Sequence, residues 1–150
     1  MATDPLDPTN PITALCVQGM EAEGRGEPDR ARDLFQQAWD QHATASEAAV
    51  AAHYLARHQS TEDDALLWNQ RALDAALCGD PESLAVMLPS LHLNLGRSHE
   101  AAGQVGLAHH HYEQAAATSH VLGDDGYGRM TRSGIAGALE RTVASTDQAS

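Results

Sequence analysis

Residues 88–120, LPSLHLNLGRSHEAAGQVGLAHHHYEQAAATSH, decide the fold of this chain. Leu88, Leu91, Leu95 and His99 recur at helical spacing up to Gly103, and Leu107, Tyr112 and the pair Ala115 and Ala116 resume the pattern beyond it. The reading is a helical hairpin. Gly96 is small where two helices must touch, Gly103 closes the first helix, and Ala108, Tyr112 and Ala115 follow Gly96 by twelve, sixteen and nineteen residues. The same offsets recur near the N-terminus as Gly19, Ala31, Phe35 and Ala38, with Gly26 at the turn. A weaker copy begins 34 residues on, as Ala65, Asn69 and Ala72, with His53 in the glycine slot and Gln59 and Ser60 at the turn. The third copy is displaced by nine further residues, which lengthens a connection.

This order of small, small, aromatic and small positions, with a period of about 34 residues, resembles the tetratricopeptide repeat. The resemblance implies an all-α fold: a right-handed superhelical solenoid of three helical hairpins plus a C-terminal capping helix, seven helices in all. Three repeats are about the minimum for such a stack, because one hairpin cannot bury its own apolar face. The stretches AHYLARHQ, LWNQRAL, PSLHLNLGRSHE and DDGYG also resemble a group of small tetratricopeptide proteins of actinobacteria.

Composition agrees with close-packed helices. Only six residues are aromatic while 27 are alanine, the strongest helix former, so packing depends on close approach more than on large side chains. A length of 150 residues suits one domain, expected over residues 10–143, between a disordered lead at 1–9 and a disordered tail at 144–150. The formal charge of −12, with nine arginines and no lysine, opposes both nucleic-acid backbones and anionic membrane surfaces. No apolar run reaches the length of a membrane span and no leader pattern opens the chain, so a cytoplasmic protein is expected. Cys16 and Cys78 lie in separate helices without a metal-ligand or redox spacing, and both are expected to be buried free thiols.

Taken in order, Asn10 caps a first helix with Pro11 in its opening turn, and Pro28 opens the second. Trp39 lies on a flank and is expected to cover the next repeat. Thr44 with Glu47, and Ser60 with Asp63, read as capping pairs for the third and fourth helices. Gly79 ends the fourth, and Pro89 is expected to kink or split a long fifth helix. A sixth helix spans about residues 105–121, and a seventh runs from Tyr127 to Thr142.

Catalytic signatures are absent: there is no GxSxG, HExxH, phosphate loop or dinucleotide fingerprint, so an enzyme is not the expected class and no cofactor is implied. Nine histidines raise the question of a metal. His109, His110 and His111 point about 100° apart in turn along a helix, and His92 and His99 stand two turns, roughly 10 Å, apart. Core histidines without a metal are therefore expected.

In tetratricopeptide arrays the first helix of each hairpin lines a concave groove that holds an extended peptide or a partner helix. Carried onto this chain, the groove would contain Cys16, Met20 and Glu23, then Val50, Tyr54, Arg57 and His58, then Leu93, Asn94, Arg97 and Glu100. Two arginine forks beside a tyrosine suit carboxylate or phosphate. The subtype that holds acidic chaperone tails uses Lys, Asn, Asn, Lys and Arg, where this chain has Cys16, Met20, Ala51, Ser90 and Asn94, so that ligand does not carry over. The expected function is a protein- or peptide-binding scaffold or adaptor using Tyr54, Arg57, His58, Asn94, Arg97, Glu100 and Tyr127. Homo-oligomerisation stays open. The alternative is a pocket for a small anionic ligand, sensory or catalytic in a bacterial specialised pathway, closed by the last helix and lined by Tyr54, His58, Arg97 and Tyr127. A third reading pairs Arg57 and Arg97 with Glu47 and Glu100, leaving them a structural task.

Overall fold

The computed structural model describes residue 7 and residues 9–149, with side chains to Val143. The expected lead at 1–9 lies outside the described residues apart from Asp7 and Thr9, and of the expected tail only the backbone to Ala149 is described. Among the described residues every regular element is helical. Seven long helices follow one another: α1 (Pro11–Gly24), α2 (Pro28–Gln41), α3 (Ala45–Leu55), α4 (Glu62–Cys78), α5 (Leu88–Ala101), α6 (Val105–Thr118) and α7 (Gly126–Ala149). Single 3₁₀ turns extend three of the connections, at Ala56–His58, Ala85–Met87 and Ser119–Val121.

The chain divides into two compact units, Met1–Leu84 and Ala85–Ser150. In the first, α1 packs on α2 and α3 on α4, while α3 also packs on both α1 and α2. In the second, α6 packs on α5 and on α7, with a smaller contact between α5 and α7.

Local chemistry explains the helix ends. The Asn10 carboxamide oxygen accepts from the backbone N–H groups of Ile12 and Thr13, at 2.8 and 3.1 Å, and its Nδ2 donates to Glu47 at 3.0 Å. One side chain thus caps α1 and fastens it to the start of α3. Thr44 and Glu47 form the expected capping box, two orphan donors satisfied reciprocally. At α4 the cap is Thr61, which accepts from Asp64 N–H at 3.1 Å, one residue later than Ser60. Pro89 splits the segment before it: a one-turn helix at Pro81–Leu84 and the 3₁₀ turn precede α5, and Pro89 sits in the first turn of α5, where its missing N–H costs no bond.

Two hairpins close in the same way. Gly26 and Gly103 adopt φ of 74° and 80°, the left-handed turn that L side chains resist. Glu27 N–H then reaches Ala22 C=O at 2.9 Å, as Gln104 N–H reaches His99 C=O at 2.8 Å, satisfying carbonyls of the last helical turn. The two helices of each hairpin come close enough that a Cβ on Gly19 would lie 2.3 Å from the Phe35 ring, and one on Gly96 2.4 Å from the Tyr112 ring. Both rings are fully buried, as are Ala31, Ala38, Ala108 and Ala115 beside them. The sixteen-residue offset in the sequence is therefore a physical pair: an aromatic ring seated in the gap that a glycine leaves. The middle hairpin has no such gap, and His53 and Asn69 occupy the corresponding slots.

Candidate functional site

The residues singled out from the sequence belong to both units. Tyr54, Arg57 and His58 belong to the first; Asn94, Arg97, Glu100 and Tyr127 belong to the second.

In the first unit two of the expected residues, Arg57 and His58, meet at a single carboxylate. Glu23, in the last turn of α1, accepts from Arg57 Nη2 at 2.6 Å and meets His58 Nε2 at 2.7 Å. The guanidinium of Arg57 lies over the Tyr54 ring, 4.7 Å from its centroid, and that ring stacks on Phe35 at 5.1 Å. The Gly19–Phe35 pair thus carries a second layer, Tyr54, and a third, Arg57. Tyr54, in the last turn of α3, and Arg57, in the 3₁₀ turn that continues it, come together because they lie three residues apart, about one helical turn. The 3₁₀ turn tightens the chain enough for His58 to reach the same carboxylate. Arg57 remains 44% exposed, so one edge of its fork faces outward while Glu23 holds the other. Met20 is exposed one turn before Glu23, whereas Cys16 and Val50, also projected into the groove, are buried in the core. Burial raises the Cys16 thiol to about 12, which keeps it protonated and unreactive. Cys78 is exposed instead of buried, because Ala72, Leu73 and Ala76 form the inward face of α4 and its last residue lies off that stripe.

Arg57 therefore pairs with Glu23 and not with Glu47, whose carboxylate is taken up by the α3 cap and Asn10. Glu100 stands 77 residues after Glu23, at the same place in its hairpin, and takes its cation from α7, where Glu23 takes one from the 3₁₀ turn after α3. Arg141 Nε and Nη2 reach it at 2.6 and 2.9 Å, and Tyr112 Oη donates to it at 2.7 Å. Hydrogen bonding from Arg141 holds the Glu100 carboxyl below the ordinary carboxylate range, and burial pushes the Tyr112 phenol up to about 12. Arg97 is exposed on α5 with its fork beside Gly134 of α7, Asn94 is half-buried, and the Tyr127 hydroxyl bonds to Ser90. The close ion-pair partner of Glu100 is thus Arg141, while the Arg97 charge adds a smaller effect that also lowers the carboxyl.

A shallow hollow of about 230 Å³ opens between α6 and α7, lined by Ala116, Ser119, Arg132, Ile135, Ala136 and Leu139. None of the residues expected around a small anionic ligand lines it, and Arg132 already donates to the backbone oxygens of Leu122 and Gly123.

The sequence reading missed one constellation altogether. His111 of α6 stacks on both His92 and His99 of α5, 5.4 Å from each ring centroid, and the His92 and His111 Nδ1 atoms are 3.2 Å apart. His110 meets the edge of His111, and His99 Nδ1 is engaged with Gln104 at 2.8 Å. Along α5 alone His92 and His99 stand two turns apart, but the hairpin inserts His111 between them. The available signal was positional: His111 precedes Tyr112, and Tyr112 fills the gap at Gly96, midway between the two histidines. Burial is the leading cause that lowers His111 to about 4 and lowers His92 as well, so both rings are neutral near neutral pH. Among the described residues no group of three or more His, Cys, Asp or Glu side chains is arranged to hold a metal ion, and no helix is long and apolar enough to cross a membrane.

Compared with known proteins, the chain matches no family model, no curated sequence and no solved structure.

Proposed function

We propose that this chain is a tetratricopeptide-like repeat module that binds a peptide segment of a partner protein and carries no catalytic activity. The observation that supports this reading is the surface of the first unit on which Arg57 lies over Tyr54 and is paired with Glu23, with exposed Met20 one helical turn before Glu23 on α1. A guanidinium held in this way has lost much of its rotamer freedom, so a carboxylate that meets its outer edge costs less ordering than one that meets a free arginine. Met20 and the outer part of the tyrosine supply the apolar contact that a neighbouring peptide side chain needs. The preferred ligand is therefore an extended segment with an acidic residue next to an apolar one. The rival small-ligand reading has less support, because the hollow in the second unit is lined by none of its four residues.

The test is fluorescence anisotropy against a peptide library that varies acidic and apolar positions independently. Arg57→Ala is expected to weaken the best binder at least tenfold while stability changes by less than about 1 kcal/mol, the usual range for a half-exposed ion pair. Peptides that bind Arg57→Ala and the native chain equally well would refute the proposed surface. A fall of many degrees in the thermal midpoint would assign Arg57 to the fold instead.

A further inference from the structure

The peptide surface of the first unit has an occupant of matching chemistry in the chain itself. Before α1 the sequence reads Asp4, Pro5, Leu6, Asp7, Pro8, with two aspartates, two prolines and a leucine and no basic residue. That is the order the surface prefers, a carboxylate close to an apolar side chain. In an extended backbone residues two apart lie on one side, about 7 Å from each other, and a proline biases the residue before it toward that form. On the acceptor, Arg57 is paired with Glu23, and exposed Met20 stands three residues before Glu23, about 5 Å along α1. Val17, also exposed, continues the apolar strip by a further turn. A carboxylate at Asp4 and an apolar side chain at Leu6 thus match the outer edge of Arg57 and Met20 in kind and in spacing. One copy is poorly built to serve itself. Glu23 stands 13 residues after Asn10, about 20 Å along α1. Asn10 N–H donates to Asp7 C=O at 3.0 Å, a turn that spans less than about 7 Å, and the three residues back to Asp4 reach about 10 Å. Drawn out straight along α1, the backbone at Asp4 still ends short of Glu23, and Leu6 ends short of Met20.

We propose that residues 4–6 of one copy bind the Arg57 surface of a second copy, with Asp4 on the outer edge of the guanidinium and Leu6 on Met20. This rests on the peptide-binding reading above and names its partner segment. Because each copy offers both a segment and a surface, the contact is reciprocal and closes as a two-fold dimer. The charge complementarity is local: the segment carries acids alone, and Arg57 is 44% exposed with one edge left open by Glu23. The formal charge of −12 on each copy opposes the approach. Two such short contacts fall below the area of a permanent interface, so the dimer is transient.

Sedimentation velocity of the full chain over a range of concentrations measures the association, and fluorescence anisotropy with a labelled peptide of residues 2–8 measures the contact alone. The native chain is expected to pass from monomer to dimer as concentration rises. The double substitution Asp4→Asn with Leu6→Ser, and separately Arg57→Ala, should each weaken the dimer about tenfold or more. An equal mixture of the two variants should recover part of the loss, because one native segment still meets one native surface. The peptide should bind the Asp4→Asn, Leu6→Ser chain and lose about tenfold in affinity for Arg57→Ala. Met20→Gln should give a loss of the same direction without touching the Glu23 ion pair, which separates binding from any effect of Arg57→Ala on folding. Self-association unchanged by the segment substitutions, a native chain still monomeric at millimolar concentration, or equal peptide binding with and without Arg57 would overturn the proposal. If library peptides bind at Arg57 while the peptide of residues 2–8 does not, this inference falls and the peptide surface stands; if no peptide binds there, both fall.

Discussion

Replacing Gly96 by alanine tests the central packing feature directly. In a helix interior alanine is favoured over glycine by about 0.5–1 kcal/mol, so the substitution stabilises wherever the added methyl meets nothing. Gly137 is such a place, since a Cβ there has no neighbour within 4 Å. At Gly96 the new atom would lie 2.4 and 2.7 Å from two carbons of the Tyr112 ring, distances that packed carbon atoms do not tolerate. The ring is fully buried and its hydroxyl is bonded to Glu100, so it cannot swing away without losing that bond. Overpacking of this kind costs about 1–3 kcal/mol, which outweighs the propensity gain. Gly96→Ala should therefore be less stable than Gly137→Ala by about 2 kcal/mol, or roughly 4–8 °C for a chain of this size. Chemical denaturation of both variants measures the difference, and a double-mutant cycle with Tyr112→Leu isolates its cause. The cycle should return a coupling of more than about 1 kcal/mol, because a smaller side chain at 112 makes room for the methyl group. If Gly96→Ala is as stable as Gly137→Ala, or if the coupling is near zero, the glycine and the ring are not a packed pair and the repeat reading loses its main support.

Other outcomes follow from the same physics. Burial lowers His53 to about 4 from the ordinary 6.5, and its Nδ1 has no hydrogen-bond partner. The unfolded chain takes up that proton first as pH falls, so the stability contribution is complete above pH 6.5, is lost between 6.5 and 4, and changes no further below 4; at 1.36 kcal/mol per pH unit the loss is about 3 kcal/mol. His53→Leu should flatten denaturation midpoints over that pH window, and a variant with the native slope would refute this assignment. Tyr112→Phe removes a hydrogen bond to a partly exposed carboxylate and is expected to cost about 1 kcal/mol by urea denaturation. Arg141→Ala at the same carboxylate should cost less than about 1 kcal/mol, because that arginine is half exposed. Thr44→Ala breaks the capping box of α3 and should cost about 1 kcal/mol, whereas Ser60→Ala, now outside the α4 cap, should be close to neutral in the same assay.

The sequence by itself determined the rods and the registration inside each hairpin. Asn10, Thr44, Pro11, Pro28, Gly26 and Gly103 mark helix ends through bonds that span a few residues, and such local bonds are written directly in the order of side chains. The offset from Gly19 to Phe35 and from Gly96 to Tyr112 was legible too, because a short turn between two helices fixes which residues face each other. It also placed Trp39 on the following hairpin, where it meets Trp68 edge-on with ring centroids 4.9 Å apart. What only the tertiary structure decided is which charged and polar groups meet across helices. Glu23 took Arg57 and His58, Glu100 took Arg141 and Tyr112, and His111 entered between His92 and His99. Helical periodicity gives the direction of each side chain around its own axis, but long flexible groups find partners according to the tilt and rotation of the neighbouring axis. That geometry is set by the glycine gaps and the buried rings together, and no single stretch of the chain contains it.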